Sequence, residues 1–355
     1  MKLDFCEVFD DYTSRCRKIP KEEYLSNGKY IVIDQGKNSI AGYTNVDDGL
    51  FEDVPAIVFG DHTRIIKYVD EPFFLGADGV KLLKSKIKDA NYKYLYYALR
   101  NARIPDTGYN RHFKWLKEIS LEYKDAESQK NIVKILDTVT NIIELCKAEL
   151  SELDNLIKAR FVEMFGSIYN NEYGYNIKTL QDVCEQIKDG THQTPMYTED
   201  KGKGFKFLSS KDVVSGKIDW SRVKYISAEL HEELYSRIKP KRGDLLLAKN
   251  GTTGVAAIVE TDEVFDIYVS LAILRPVDIN SVYLWGAVNS MESKRQFDES
   301  LKGIGVPNLH LGEIKKTKIV VPPIQIQEAF EQFVLQIDKS KVEVKKALDE
   351  AQLLF

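Results

Sequence analysis

Two segments of this 355-residue chain carry the same heptad pattern in the same phase. Ile132, Leu136, Val139, Ile143, Cys146, Leu150, Leu153 and Ile157 recur at alternating spacings of four and three. Phe330, Val334, Ile337, Lys341, Val344, Leu348, Ala351 and Phe355 do the same, each 198 residues after its counterpart. A 3.5-residue repeat lays a narrow apolar stripe along a helix, and one helix cannot bury such a stripe alone. The two helices are therefore expected to bury their stripes on each other as an antiparallel coiled coil.

The residues before each stripe keep the offset: His112 pairs with His310, Lys117 with Lys315, Leu121 with Ile319 and Gln129 with Gln327. This organisation is two copies of a globular module, each followed by a long helix. The expected divisions are residues 1–124 for the first module, 125–165 for the first helix, 166–321 for the second module and 322–355 for the second helix. Asp125 is a candidate N-cap with Glu127 in the first turn, Gly166 a candidate stop, and Pro322-Pro323 a tolerated helix start. At ~1.5 Å per residue such helices extend roughly 55–60 Å, more than one and a half turns of duplex at ~34 Å each. Lys341 stands where the first copy has Ile143, and reads equally as a snorkelling stem or as a register marker. The chain stops at Phe355 while still on the stripe, so the second helix is expected to be cut short.

Both modules mix strand and helix signals, giving an α+β expectation. Residues 29–33 and 56–59 of the first, and 205–208, 244–248 and 255–259 of the second, read as short strands bounded by turn residues, whereas 92–99 reads as an aromatic-rich helix. Glycines such as Gly60, Gly79, Gly190, Gly251 and Gly254 mark turns, and loops on such scaffolds commonly carry binding residues.

Charge is informative locally rather than globally. The net charge of −4 argues mildly against a nucleic-acid binder, because a phosphate backbone rewards Lys and Arg. Yet residues 84–124 hold ten Lys/Arg against four acids, and residues 201–249 hold twelve against six. Two basic segments on an acidic chain fit two phosphate-contacting surfaces, although charge alone equally fits solvated faces. The four cysteines, Cys6, Cys16, Cys146 and Cys184, are scattered without zinc-ligand spacing and are expected to be reduced thiols. No apolar run approaches the ~20 residues needed to cross a bilayer, and the N-terminus has no uninterrupted apolar core of a leader, so the expected location is the cytoplasm with no membrane partner.

Catalytic signatures are sparse. There is no P-loop, and Val321 precedes Pro322-Pro323 where an amino-methyltransferase motif would need Asn or Asp. Asp298 with Glu313-Ile314-Lys315 is a loose acidic constellation of the kind that binds a hard divalent ion, but such spacings arise readily in a chain with 54 acids. No catalytic or metal-binding residue is assigned. The polar clusters fit nucleic-acid reading better: His62, Thr63 and Arg64 on one turn; Tyr109, Asn110, Arg111 and His112 on another; Thr191 and His192; and Lys249, Asn250, Thr252 and Thr253 on a glycine loop. Arginine bonds guanine bidentately, and amides, hydroxyls and backbone N–H groups grip base edges or phosphate. His62 and His112 equally fit satisfied core histidines, and Asp61 fits a residue that only fixes its own turn.

These residues resemble a known family. Residues 28–36, Ile40-Ala41-Gly42-Tyr43, Phe59-Gly60-Asp61-His62-Thr63-Arg64, residues 76–80 and Gly108-Tyr109-Asn110-Arg111-His112-Phe113 together look like a target recognition domain of type I restriction-modification specificity subunits. Residues 189–192, 243–246, 249–251 and 305–309 are similar to a second, divergent one, and the heptad helices resemble the family's spacer helices. The resemblance implies a non-catalytic subunit reading a bipartite target in double-stranded DNA. It also implies two modification subunits that bind S-adenosylmethionine and motor-nuclease restriction subunits that use ATP and Mg2+, with no cofactor in this chain. The alternatives are a stand-alone DNA nuclease or methyltransferase, and a coiled-coil interaction protein.

Overall fold

The computed structural model describes all residues except 77, 109, 194, 252, 302–307 and 355. The chain divides into one unit of Met1–Glu144 with Glu350–Phe355, and another of Leu145–Asp349.

In the first unit β1 (Lys2–Asp4), α1 (Phe5–Val8), β2 (Phe9–Asp11), β3 (Tyr30–Ile33), β4 (Gly42–Thr44), β5 (Ala56–Gly60), β6 (Ile66–Val69), β7 (Phe73–Leu75), β8 (Val80–Ser85), α2 (Tyr92–Arg100), α3 (Phe113–Leu116) and β9 (Ser120–Glu122) lead into α4 (Ala126–Phe165). Strands β2-β8-β5-β6 form one sheet, β4-β3-β7 a second with β3 and β7 parallel, and β1 pairs with β9. Strand β5 is apolar and buried throughout, as a central strand covered on both faces must be. The two-residue period of a strand sorts its side chains. Ile57 and Phe59 join Leu83, Leu95, Leu99 and Leu116 on one face, while Ala56 and Val58 join Phe73, Leu75 and Leu82 on the other. Asn91 caps α2, its side chain accepting from the Tyr94 N–H at 3.1 Å.

The second unit comprises β10 (Asn176–Thr179), α5 (Leu180–Val183), β11 (Cys184–Asp189), β12 (Phe205–Leu208), β13 (Val213–Val214), β14 (Lys217–Ile218), β15 (Lys224–Ile226), α6 (Ala228–Arg237), β16 (Leu245–Ala248), β17 (Ala256–Ile258), β18 (Phe265–Ile267), β19 (Leu271–Pro276), α7 (Ser281–Val288), α8 (Met291–Ser300), α9 (Leu311–Lys316), β20 (Lys318–Val321) and α10 (Ile324–Leu353). Its sheets are β11-β19-β16-β17, β15-β12-β18 with a parallel β12/β18 pair, and β10-β20. Each sheet matches one of the first unit strand for strand, so the internal repeat read from the heptads extends to the sheet topology. The hairpin β13-β14 and helices α6 and α8 are additions to the second copy.

The long helices lie where the stripes require. Asp125 accepts the Ser128 N–H at 2.9 Å at the start of α4, and Gly166, at φ 64, ends it in the left-handed conformation that glycine tolerates. Within the second unit Ile157, Phe161 and Phe165 share one core with Phe330, Val334 and Ile337. Phe165 meets Phe330 at 5.5 Å, and Lys341 reaches Asp154 at 2.5 Å. Contacts that descend along α4 as they ascend along α10 make these segments antiparallel. Lys341 holds its seam position through that ion pair, its side chain 13% exposed. All four cysteines are free thiols. Burial pushes Cys184 up to about 12 and Cys16 up to about 11.

Candidate nucleic-acid interface

In both units, loops from several strands and from the segment before a short helix are joined by the same backbone bonds. The residue that follows β5, Asp61, donates its N–H to Gly79 at 2.7 Å and accepts that of His112 at 2.8 Å. The residue that follows β16, Lys249, donates to Ser270 at 2.8 Å and accepts from Leu309 at 2.9 Å. The turn 60–65, the loop before β8 and the segment before α3 are thus tied together, as are their counterparts in the second unit.

In the first unit this framework divides the sequence-derived candidates. His112 is fully buried; its Nδ1 donates to the Asp61 carbonyl at 3.0 Å and its Nε2 lies 3.4 Å from Thr107 Oγ1. His112 is a satisfied core histidine, which corrects its assignment to the DNA-facing set. Thr63 is exposed, with its hydroxyl donating to the Gln35 carbonyl at 2.7 Å. His62 Nδ1 lies 3.2 Å from the Asn110 carbonyl, joining two of the predicted clusters. Arg64, at φ 61, donates to the Ile104 carbonyl at 3.3 Å and pairs with Asp106 at 2.6 Å. Asn110 is exposed, its amide donating to the Thr107 carbonyl. Arg111 is exposed and makes no hydrogen bond or ion pair with the described residues. Tyr109 lies outside the described residues.

In the second unit Thr191 is buried, its Oγ1 accepting the Gln193 N–H at 3.2 Å and its carbonyl accepting that of Val269 at 3.0 Å. Lys249 is also buried, with its Nζ 2.5 Å from Asp189. Thr191 and Lys249 therefore leave the set of groups free to meet DNA, because protein partners occupy their polar atoms. His192 is exposed, 3.5 Å from the same Asp189 oxygen. Asn250 forms a bridge with Asn308 and keeps Oδ1 buried without a partner among the described residues. Thr253 is half-buried, its N–H donating to Gly251 at 2.9 Å. Thr252 and residues 305–307 lie outside the described residues. Gly190 is required by close approach: a Cβ there would strike the Ile267 carbonyl.

Several contributors escaped the sequence reading. Gln35 holds the 60–64 turn through two bonds, its Oε1 accepting from the His62 N–H at 3.2 Å and its carbonyl accepting from Thr63, and ties it to the loop before β8 through a third, its Nε2 donating to the Asp78 carbonyl at 3.2 Å. A cleft of about 820 Å³ behind that turn is lined by Arg64, Lys67, Tyr68, Tyr96 and Arg100 among others. Lys67 is buried and donates to the Asn38 carbonyl at 2.6 Å, with burial lowering its pKa. Only the family resemblance of residues 28–36 gave any signal for Gln35. No group of three metal-binding side chains is present among the described residues, so Asp298 and Glu313 are not joined into such a cluster.

A family model for the type I restriction modification DNA specificity domain matches residues 3–155 and 172–351. The chain belongs to that family. Its two matched segments fit a specificity domain present in two copies, each made of one α+β module and a long helix. The crystal structure of a type I restriction-modification S subunit from M. genitalium matches at TM-score 0.56 and 16% identity, over 100% of this chain and 93% of that one. A structure described as the basis of complex assembly and conformational transition of the type I R-M system matches at TM-score 0.54 and 14% identity, over 98% and 94%. At these identities the likeness is one of fold. No curated protein sequence matches the chain. Among the described residues, no helix of this specificity domain is long and apolar enough to cross a membrane.

Proposed function

We propose that this chain is the DNA-reading subunit of a type I restriction-modification complex, in which each unit reads one half of a bipartite target. The observation that carries the reading is the duplication itself: two modules of one topology, each presenting joined loops and each followed by a long helix. Side chains on those loops that are exposed or half-buried are the reading set. In the first unit these are His62, Thr63, Arg64, Asn110 and Arg111; in the second they are His192, Asn250 and Thr253. Tyr109 and Thr252 belong to the same loops by sequence. Basic residues of the segments 84–124 and 201–249 anchor phosphates and fix register, while the loops supply base contacts.

Chemistry is assigned to partners. Two modification subunits supply methyl transfer with S-adenosylmethionine, and motor-nuclease subunits supply ATP- and Mg2+-dependent restriction in the cytoplasm. The test is to express the chain with its cognate modification subunit in a host lacking other methylation and to sequence the methylome. The expected result is one bipartite methylated motif, of which exactly one half changes when residues 166–321 are replaced by the equivalent segment of another specificity subunit. A motif that changes in both halves, or no methylated motif at all, overturns the reading.

A further inference from the structure

Two ion pairs join loops in the reading surfaces, and they differ sharply in burial. Arg64–Asp106 in the first unit is open to solvent, at 32% and 66% side-chain exposure. Lys249–Asp189 in the second is closed, at 7% and 17%. We propose that Lys249 and Asp189 are positioning residues: their buried pair holds loops 190–193 and 249–254 in one fixed relation, so that His192, Asn250 and Thr253 meet DNA as a single preorganised set. Lys249 itself then contacts no phosphate. This rests on the DNA-reading function above and adds which residues set the geometry of one half of it.

The side-chain pair adds a direct link to an indirect one. Strands β11 and β16 are separated by β19, so backbone bonds tie each loop to residues 267–271, Thr191 to Ile267 and Val269 and Lys249 to Ser270, while the ion pair joins the two loops to each other. The backbone of Lys249 is pinned on both sides, by Ser270 and by Leu309, which leaves the side chain to span across to Asp189. His192 adds a second contact to the same carboxylate oxygen at 3.5 Å. A closed pair of this kind strongly disfavours states in which one partner swings away, because the other charge is left buried and uncompensated. Loops ordered beforehand lose less freedom on binding, which favours one geometry over its neighbours. A solvated lysine on a glycine loop would instead act as a point charge for phosphate.

The experiment uses the full chain with its modification partner and a library of randomised duplex DNA, sequencing the bound fraction for wild type, Lys249→Met, Asp189→Asn, the double variant and Lys249→Arg. In each single variant, enrichment of the half-motif read by the second unit is expected to fall about tenfold, a typical cost for a mismatched or mispositioned base contact. The other half is retained. The double variant is expected to be no worse than either single, and Lys249→Arg to retain both halves. The slope of log affinity against log salt is expected to be unchanged in Lys249→Met, whereas loss of a phosphate contact lowers it by about 1. A lowered slope with both half-motifs intact, or motifs unchanged in all variants, overturns the proposal. Amide exchange without DNA supplies an independent check: Asp189→Asn is expected to speed exchange in 190–193 and 250–254 by about tenfold while sparing β16 and β19. Unchanged loop exchange overturns the latch, and equal loosening of β16 and β19 overturns it in favour of a general structural role. If wild type enriches no motif, DNA reading itself fails, and the exchange result separates that failure from failure of the latch.

Discussion

At the same place in the two units, immediately after the central strand, stand residues of opposite charge. Asp61 and Lys249 make the same pair of backbone bonds and are both buried, at 4% and 5% exposure. Asp61 Oδ1 accepts the Phe113 N–H at 2.7 Å at the start of α3, whereas Lys249 is neutralised by Asp189. The next position of the framework differs too, with buried His112 in one unit and buried Leu309 in the other. A duplicated backbone thus tolerates reversed charge where each copy supplies its own local partner, and the loop surface diverges while the ladder does not.

The largest expected effect tests the shared part of the design. Phe330 sits among Phe161 and Phe165, and Phe330→Ala is expected to cost ~3–5 kcal/mol in denaturant melts. Its counterpart 198 residues earlier, the half-buried Ile132, is expected to cost less than half as much as Ile132→Ala. Equal costs would break the comparison between the two helix seams. Next comes the divergent part: Asp61→Lys places the second unit's charge in the first without an Asp189 equivalent. A loss of ~3–5 kcal/mol is expected from the first unit's transition, as for other uncompensated buried charges. A silent substitution would show that local partners do not decide which charge a position accepts.

A smaller effect concerns how each module holds the helix that follows it. In the first unit Asp137 of α4 takes bonds from Lys93 at 2.7 Å and Tyr97 at 2.6 Å; in the second, Asn280 donates to Glu331 of α10 at 2.8 Å. Burial acts to raise the Asp137 pKa, but the bonds from Lys93 and Tyr97 outweigh it and hold the carboxyl below 3.8. A depressed carboxyl contributes stability above its unfolded pKa and loses it as pH falls through the folded one. Asp137→Asn is therefore expected to cost ~0.5–1 kcal/mol at neutral pH, with the difference from wild type disappearing in melts well below pH ~4. A difference that persists in acid would assign the effect to packing. The smallest effect is at the seam: Lys341→Ile restores the residue type of the first stripe and is expected to change stability by no more than about 1 kcal/mol, since Asp154, 59% exposed, stays solvated when its partner is lost. A large loss would make Lys341 a register residue.

Much of the frame was legible because it is local or periodic. The stripe positions, the Asp125 cap, the Gly166 stop and the cores of β3, β5, β12, β16 and β17 follow from spacing and residue type. The 198-residue offset holds at the helix caps, where His112 precedes α3 and His310 precedes α9, but slips by one at the buried position, where His112 matches Leu309. An offset counted along the chain does not register a one-residue shift that the strand framework imposes. The site was less legible. His62, Asn110, Arg111 and His192 lie on loops as their residue types suggested, but His112, Thr191 and Lys249 looked identical in kind and are buried.

The sequence by itself determined that the chain is a duplication, where its long helices run, and which loops carry polar groups, because heptad spacing, caps and glycines act over a few residues. Only the tertiary structure decided which of those polar groups remain free. The partners that consume two of them, Asp61 for His112 and Asp189 for Lys249, lie 51 and 60 residues away along the chain, and Thr191 is buried by backbone bonds to Ile267 and Val269, 76 and 78 residues away. Burial and pairing across such distances leave no pattern in the residues on either side.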